Sequence, residues 1–398
     1  MKTDTPVDFE TFFSARARAL QSSVIRETLK ITERPEIISF AGGLPAPETF
    51  PVREMLAALE RVLTRRGADA LQYSTTEGFA PLREWIAARK GTPEAPVRPD
   101  QVLIVSGSQQ GLDLLAKALI DPGDRVLVET PTYLGALQAF SLFGPRFVSI
   151  ASDADGLMPE TLSEPLRGAK FLYCLPNFQN PTGRLLAEER RHRLAEKARE
   201  LDFIILEDDP YGDLSYAGGA PCSIRSLAPE RTVYMGSFSK ILSPGIRLGY
   251  LIAPDVLHAK LVQAKQATDL HTSTLSQMAA YEVVKDGFLE GHIPAIRKLY
   301  GDQCRAMLDA LSRHMPDGVR WSSPKGGMFL WAELPRGMDA TKLMRRAVET
   351  ARVAFMPGEP FYAENPAPET LRLAFVTAPR PRIEEGIERL AGLIRAGC

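Results

Sequence analysis

Gly236-Ser-Phe-Ser-Lys-Ile-Leu-Ser-Pro-Gly-Ile-Arg-Leu-Gly-Tyr250 follows the apolar run Val233-Tyr-Met and sets Lys240 between small hydroxyl residues, where a buried strand ends. A solvated ammonium gains nothing from such a place. A lysine that reacts as a nucleophile does, because partial desolvation favours its neutral amine. Arg247 adds a bidentate fork suited to a phosphate, and Ser237 and Ser239 add hydroxyl donors. The competing reading is a surface loop with incidental basic residues.

Outward from this stretch, short apolar runs alternate with helical patterns from about Asp100 to Pro254. The runs are Val102-Leu-Ile-Val, Arg125-Val-Leu-Val, Phe147-Val-Ser-Ile, Phe171-Leu-Tyr-Cys-Leu, Phe203-Ile-Ile-Leu, Val233-Tyr-Met and Leu248-Gly-Tyr-Leu-Ile. Helices are expected near Gln109 to Ile120 and Ala187 to Glu200. Unbroken apolar strands between helices predict an α/β unit whose mostly parallel sheet is covered on both faces. Beyond Asp255 come long helices, then a smaller α+β region: strands around a Lys325-Gly-Gly turn, a strand Arg372-Leu-Ala-Phe-Val and a helix Ile383 to Ala396. Phe9 to Thr32 reads as one amphipathic helix, and Ile37 to Pro47 as a Gly/Pro-rich crossing segment. The expected division is 1–46, helix and crossing segment; 47–285, the large domain; and 286–398, the small one.

The chain has 398 residues, enough for two domains, and its 48 basic and 49 acidic residues leave a net charge of -1. No basic excess points to nucleic acid or an anionic membrane. The four cysteines and five histidines are scattered, with no metal-ligand spacing and no disulfide framework, which predicts a reducing compartment. Asp4, Asp8 and Glu10 interrupt the first residues, and no apolar run is long enough to span a bilayer, so the expectation is a cytoplasmic protein without a signal peptide.

Three further polar clusters sit at strand ends, where open α/β sheets bind ligands. Leu206-Glu-Asp-Asp-Pro-Tyr211 closes one run; Pro176-Asn-Phe-Gln-Asn-Pro-Thr-Gly183 reads as a turn; Ser106-Gly-Ser-Gln-Gln-Gly111 is a strand-to-helix turn whose free N–H groups suit a phosphate. Ser108 and Gln109 are its candidate ligands. On local chemistry alone, Glu207 and Asp209 would be solvated acids and the Asn-Pro segment a plain turn.

Ser-x-Ser-Lys-x-x-x-Pro-Gly-x-Arg-x-Gly resembles the cofactor-lysine signature of the class I and II aminotransferases, the fold type I pyridoxal-phosphate enzymes, and the likeness runs over nearly the whole chain. It implies a large domain with a mostly parallel seven-stranded sheet and a small α+β domain formed by both chain ends. It implies that Lys240 carries pyridoxal 5'-phosphate as a Schiff base and later moves the substrate Cα proton. By the same resemblance Asp208 keeps the ring nitrogen protonated, Tyr211 and Asn180 reach the phenolic oxygen, and Tyr133 stacks on the ring. Tyr73 is identified with a tyrosine that crosses to the partner subunit's phosphate, so a homodimer with shared sites is implied. Arg372 matches the clamp for the substrate α-carboxylate. The segment Phe40-Ala-Gly-Gly-Leu-Pro-Ala-Pro-Glu, which holds Gly43, and the Ser-Gln-Gln phosphate loop look like the subgroup of 2-aminoadipate aminotransferases of lysine biosynthesis and kynurenine/aromatic enzymes. There, Arg26 on the N-terminal helix matches an arginine that binds the distal carboxylate of acidic substrates. The implied reaction is ping-pong transfer from 2-aminoadipate, glutamate, or leucine-like and aromatic amino acids to 2-oxoglutarate. Lyases and decarboxylases share these cofactor residues, and some transcription regulators share the fold; about 35 residues before Ile37 are too few for a winged helix.

Overall fold

The structure, a computed structural model, describes residues 7–18, 34–219 and 221–397. Seven strands form its central sheet: β1 Val102–Val105, β2 Arg125–Glu129, β3 Arg146–Ile150, β4 Phe171–Cys174, β5 Ile204–Asp208, β6 Thr232–Ser237 and β7 Gly249–Ile252. Their order is β1-β7-β6-β5-β4-β2-β3. β7 runs antiparallel to both neighbours and the other pairings are parallel. The physical cause is visible in the runs themselves: all four residues of β1 and of β4 are fully buried, as strands covered on both faces must be. Helix Glu188–Glu200 shows how the cover is built, with Glu188 and Glu189 at its positive end and Lys197 and Arg199 at its negative end.

A second, antiparallel sheet joins β8 Arg320–Trp321, β9 Phe329–Glu333, β10 Met356–Pro357 and β11 Thr370–Ala374 in the order β8-β9-β11-β10. The early segment Ile38–Ser39 pairs in parallel with Val353–Ala354, and Phe40 accepts a hydrogen bond from Ala374 N. Sequence positions more than three hundred apart are thereby stitched together. Helices Phe288–His314 and Arg380–Arg395 pack against each other beside this sheet.

The expected single helix from Phe9 does not form. Asp8 caps a short 3-10 turn, Phe9–Phe12, and Ser14 accepts from Ala17 N to start a separate helical turn, Ala15–Arg18. Two capping side chains six residues apart define two starts, whatever the apolar spacing suggests. The rest of that segment, Arg26 included, lies outside the described residues.

Candidate active site

Lys240 lies just past the end of β6, and its Nζ donates to Gly43 O at 2.9 Å. Burial, then the charges of Arg372 and Arg247, pull its pKa down to about 8, so about a tenth is neutral amine at pH 7, far more than for a free lysine. Gly43 reaches this point from the crossing segment by its backbone carbonyl.

Arg372, at the middle of β11, is 4% exposed and faces the same space. Its Nη1 donates to Asn180 Oδ1 at 2.7 Å and its Nη2 to Ala41 O at 2.6 Å, while Nε has no partner. The guanidinium stacks over Phe329 at 4.3 Å, and burial brings its pKa down to about 10. Tyr211 is buried beside it, close to the Asn180 side chain and meeting Phe329 edge-on. Tyr133 is close enough to feel the charges of Asp208, Arg372 and Arg247. Its ring has room because residue 135 is glycine: a Cβ there would come within 2.5 Å of it.

Asp208 ends β5, buried to 3% exposure. Tyr173 on the neighbouring strand donates its hydroxyl to Oδ2 at 2.7 Å, whereas Oδ1 is buried with no partner at all. Burial, opposed by Tyr173, lifts the carboxyl to about 7. An unpaired buried acceptor of this kind fits a cationic N–H donor, which would restore its charge.

The opposite wall is a phosphate-shaped corner. Gly107 (φ +83°) precedes helix Ser108–Leu119, and a Cβ on it would collide with the Arg247 guanidinium at 2.4 Å. Arg247 itself takes a left-handed φ of 55°, a strained backbone that costs about 1 kcal/mol or more for a non-glycine residue. The first-turn N–H groups of Ser108 and Gln109 have no intrahelical acceptor. Ser237 and Ser239 stand beside Lys240, the Ser239 N–H bonding to Ser237 Oγ at 3.1 Å. The Gln109 side chain, expected in this cup, instead donates to Gly135 O at 2.9 Å and ties the helix to the Tyr133 loop.

Lys240, Asp208, Tyr211, Asn180, Tyr133, Arg247, Arg372 and the Gly43 carbonyl therefore converge. Tyr73 does not join them within this chain: it is 77% exposed and its ring meets His271. Glu207, expected to be solvated, is fully buried, because helix Ile224–Leu227 needs a carboxylate at its start. Sequence reasoning also missed Tyr173 and a layer beneath the cup, where Gln110, Lys265 and Asp269 hold Ser106. A polar residue inside an otherwise apolar strand, such as Tyr173, was the available signal. A cleft of about 820 Å³ between Arg184–Arg191 and Ser322–Lys325 is separate, and none of the converging residues lines it.

Residues 36–390 match the family "Aminotransferase class I and II". The chain is 46% identical to an aromatic-amino-acid aminotransferase of Thermococcus litoralis, covering 99% of this chain and 97% of that protein. It is also 46% identical to the 2-aminoadipate transaminase of Thermus thermophilus, covering 98% of each. The crystal structure of the α-aminoadipate aminotransferase of Thermus thermophilus, complexed with N-(5'-phosphopyridoxyl)-L-leucine, superposes with a TM-score of 0.91 at 44% identity, over 98% of this chain and 99% of that one.

Proposed function

This chain belongs to the class I and II aminotransferases, and from that premise we propose that Lys240, Asp208, Tyr211, Asn180, Tyr133, Arg247 and Ser108 hold its pyridoxal 5'-phosphate. Bound there, the cofactor supplies an aldehyde that couples to amines and a ring that takes up the electron pair released at a substrate Cα. The single observation that carries the reading is the gathering of Lys240, Arg247 and Arg372 around one space. Three cations left together are costly, and a phosphate plus a substrate carboxylate balance them.

The residues divide the work. The Asp208 oxygen that lacks a partner accepts the ring N–H. Arg247 and the N–H groups at Ser108 and Gln109 take the phosphate, with Ser237 and Ser239 beside them. Tyr211 and Asn180 address the phenolic oxygen, and Tyr133 covers the ring. Arg372 clamps the substrate α-carboxylate through its planar fork. The Lys240 amine, kept partly neutral, accepts the Cα proton and returns it two bonds along, beyond the substrate nitrogen. With one site for both halves, the kinetics are ping-pong.

The substrate reading is an acidic L-amino acid, 2-aminoadipate or glutamate, with 2-oxoglutarate as acceptor. It is supported by a relative 46% identical to this chain, the 2-aminoadipate transaminase of Thermus thermophilus, and by the match of Arg26. The aromatic relative at equal identity supports a broader pocket, and leucine-like and aromatic donors remain in play. Half-reactions with glutamate, 2-aminoadipate, leucine, phenylalanine and kynurenine, in wild type and Arg26→Ala, decide between them. Selective loss of the acids by about tenfold or more supports the acidic reading; equal loss of all five sinks it.

A homodimer that completes each site is part of the same reading. Val52, Leu56 and Leu63 form an exposed apolar stripe on helix Val52–Leu71, with Leu71, Tyr73 and Leu270 exposed nearby. Such a patch on an enzyme surface marks a protein interface. Sedimentation at a monomer mass would overturn it. Among the described residues no helix is long and apolar enough to cross a membrane. The scattered cysteines, without a disulfide framework, support a cytoplasmic location.

A further inference from the structure

Two loops bring groups to the Lys240 space: Thr130-Pro131-Thr132-Tyr133 after β2, and Asn177 to Gly183 after β4. One buried side chain spans them. Gln179, 4% exposed, donates Nε2 to Pro131 O at 2.7 Å and, more weakly, to Glu129 Oε2 at 3.3 Å. Its Oε1 accepts from Thr182 N at 3.0 Å and from Thr182 Oγ1 at 2.6 Å. Its backbone closes the same turn, donating to Arg184 O at 2.8 Å and accepting from Gly183 N at 2.7 Å. Asn180 sits inside this clasp, with its Oδ1 on Arg372.

Glu129 supports the clasp from the end of β2. It is 3% exposed, and the same Oε2 accepts from Leu175 N at 2.8 Å. Only an amide can serve both loops here. A carboxylate would lose the donor to Pro131 O and face Glu129 as a like charge. An apolar side chain would orphan Pro131 O and the two Thr182 donors, each a cost of about 1–3 kcal/mol.

We propose that Gln179, seated on Glu129, is a positioning residue of the transamination site, fixing the Asn180 amide and the Tyr133 ring relative to each other and to the cofactor. The proposal rests on the reading that Lys240 and its neighbours hold pyridoxal phosphate. A residue that only held the fold would change stability alone. Gln179 must also change what Asn180 does, and that is legible in the spectrum of the bound cofactor.

The test compares wild-type holoenzyme with Gln179→Ala, Gln179→Glu, Glu129→Gln and Asn180→Ala. Three things are measured: the pH midpoint of the cofactor's visible band, the rate of cofactor loss on dilution, and the melting temperature. We expect Gln179→Ala to move the midpoint in the same direction as Asn180→Ala, by about half a pH unit or more, and to speed cofactor loss about tenfold. Glu129→Gln keeps the size of the side chain and is expected to follow with a smaller displacement. Should Gln179→Ala fail to fold, Gln179→Glu and Glu129→Gln carry the same readouts. Variants that melt earlier while keeping the wild-type midpoint and release rate overturn the proposal. Absence of a visible band in wild type, or its persistence in Lys240→Ala, overturns the reading of the site and the proposal with it.

Discussion

On one face of β5, the Glu207 carboxylate is satisfied on both oxygens: Oε2 accepts from Ser223 Oγ at 2.7 Å and Arg225 N at 2.8 Å, and Oε1 from Ile224 N at 3.0 Å. On the other face, one residue along, Asp208 leaves Oδ1 buried and empty-handed. Strand alternation sends the two acids to opposite sides. Glu207 belongs to a completed structure, the start of helix Ile224–Leu227. Asp208 belongs to an incomplete one, which becomes satisfied only when something else arrives. The same contrast separates Arg191, whose Nε, Nη1 and Nη2 donate to backbone carbonyls and Asn177, from Arg372, which keeps an idle Nε. Within each of these two pairs, unmet hydrogen-bonding capacity, more than burial or charge, separates the working side chain from the structural one.

The sharpest way to break this contrast is Lys240→Ala. The half-reaction with glutamate should slow by about 10⁴-fold or more, followed as release of the 2-oxo acid in a single turnover with added cofactor. A loss under about a hundredfold would remove Lys240 from the proton-transfer role.

Asp208→Asn comes next, with an expected fall of about 10²-fold in the same half-reaction. It also carries a pH signature in the cofactor-free protein. The folded carboxyl is raised to about 7 from its ordinary value, so the unfolded chain binds fewer protons between those two values. Stability therefore falls as pH rises through that window, and above it the charged acid weakens the fold. Asparagine should raise the melting temperature at pH 8, by up to about 4 kcal/mol of stability, and leave it unchanged near pH 4. A destabilised variant at pH 8 would mean that Oδ1 is not the orphan it looks.

Arg372→Lys should raise KM for the amino donor about 30-fold, since an ammonium cannot present the paired donors of the planar fork. Steady-state rates at saturating and limiting donor separate this from a loss in kcat. The smallest change is expected from Glu207→Gln. It should cost about 1–2 kcal/mol in urea unfolding and leave kcat within about twofold. A large loss of activity there would erase the distinction between the faces.

Most of the large sheet was legible from the sequence because doubly buried strands leave unbroken apolar runs. Lys240 and Arg247 were legible because their chemistry sits oddly among small hydroxyls beside a strand. What stayed hidden has a common physical origin. The contact of Tyr173 with Asp208, and the clasp of Gln179 on Pro131 and Glu129, depend on which strands lie side by side, and β4 neighbours both β2 and β5. Adjacency of that kind leaves no trace in local periodicity. Glu207 was misread because local pattern shows a strand end but not the helix that comes back to use it. The expected helix from Phe9 failed for the opposite reason: caps from Asp8 and Ser14 outranked a good apolar spacing.

The pairing of Ile38–Ser39 with Val353–Ala354, and of Phe40 with Ala374, has a consequence for the order of events on the ribosome. By the time Ile252 has emerged, every strand of the large sheet exists, and with it Asp208, Lys240 and Arg247. The early segment that presents Ala41 and Gly43 must wait, unpaired, for strands made last, and Arg372 arrives with them. A nascent chain thus acquires its cofactor cup well before its carboxylate clamp. Protease pulses on chains stalled after His314 and after Arg395 would read that delay as early protection of the large sheet and late protection of the Ile38 segment.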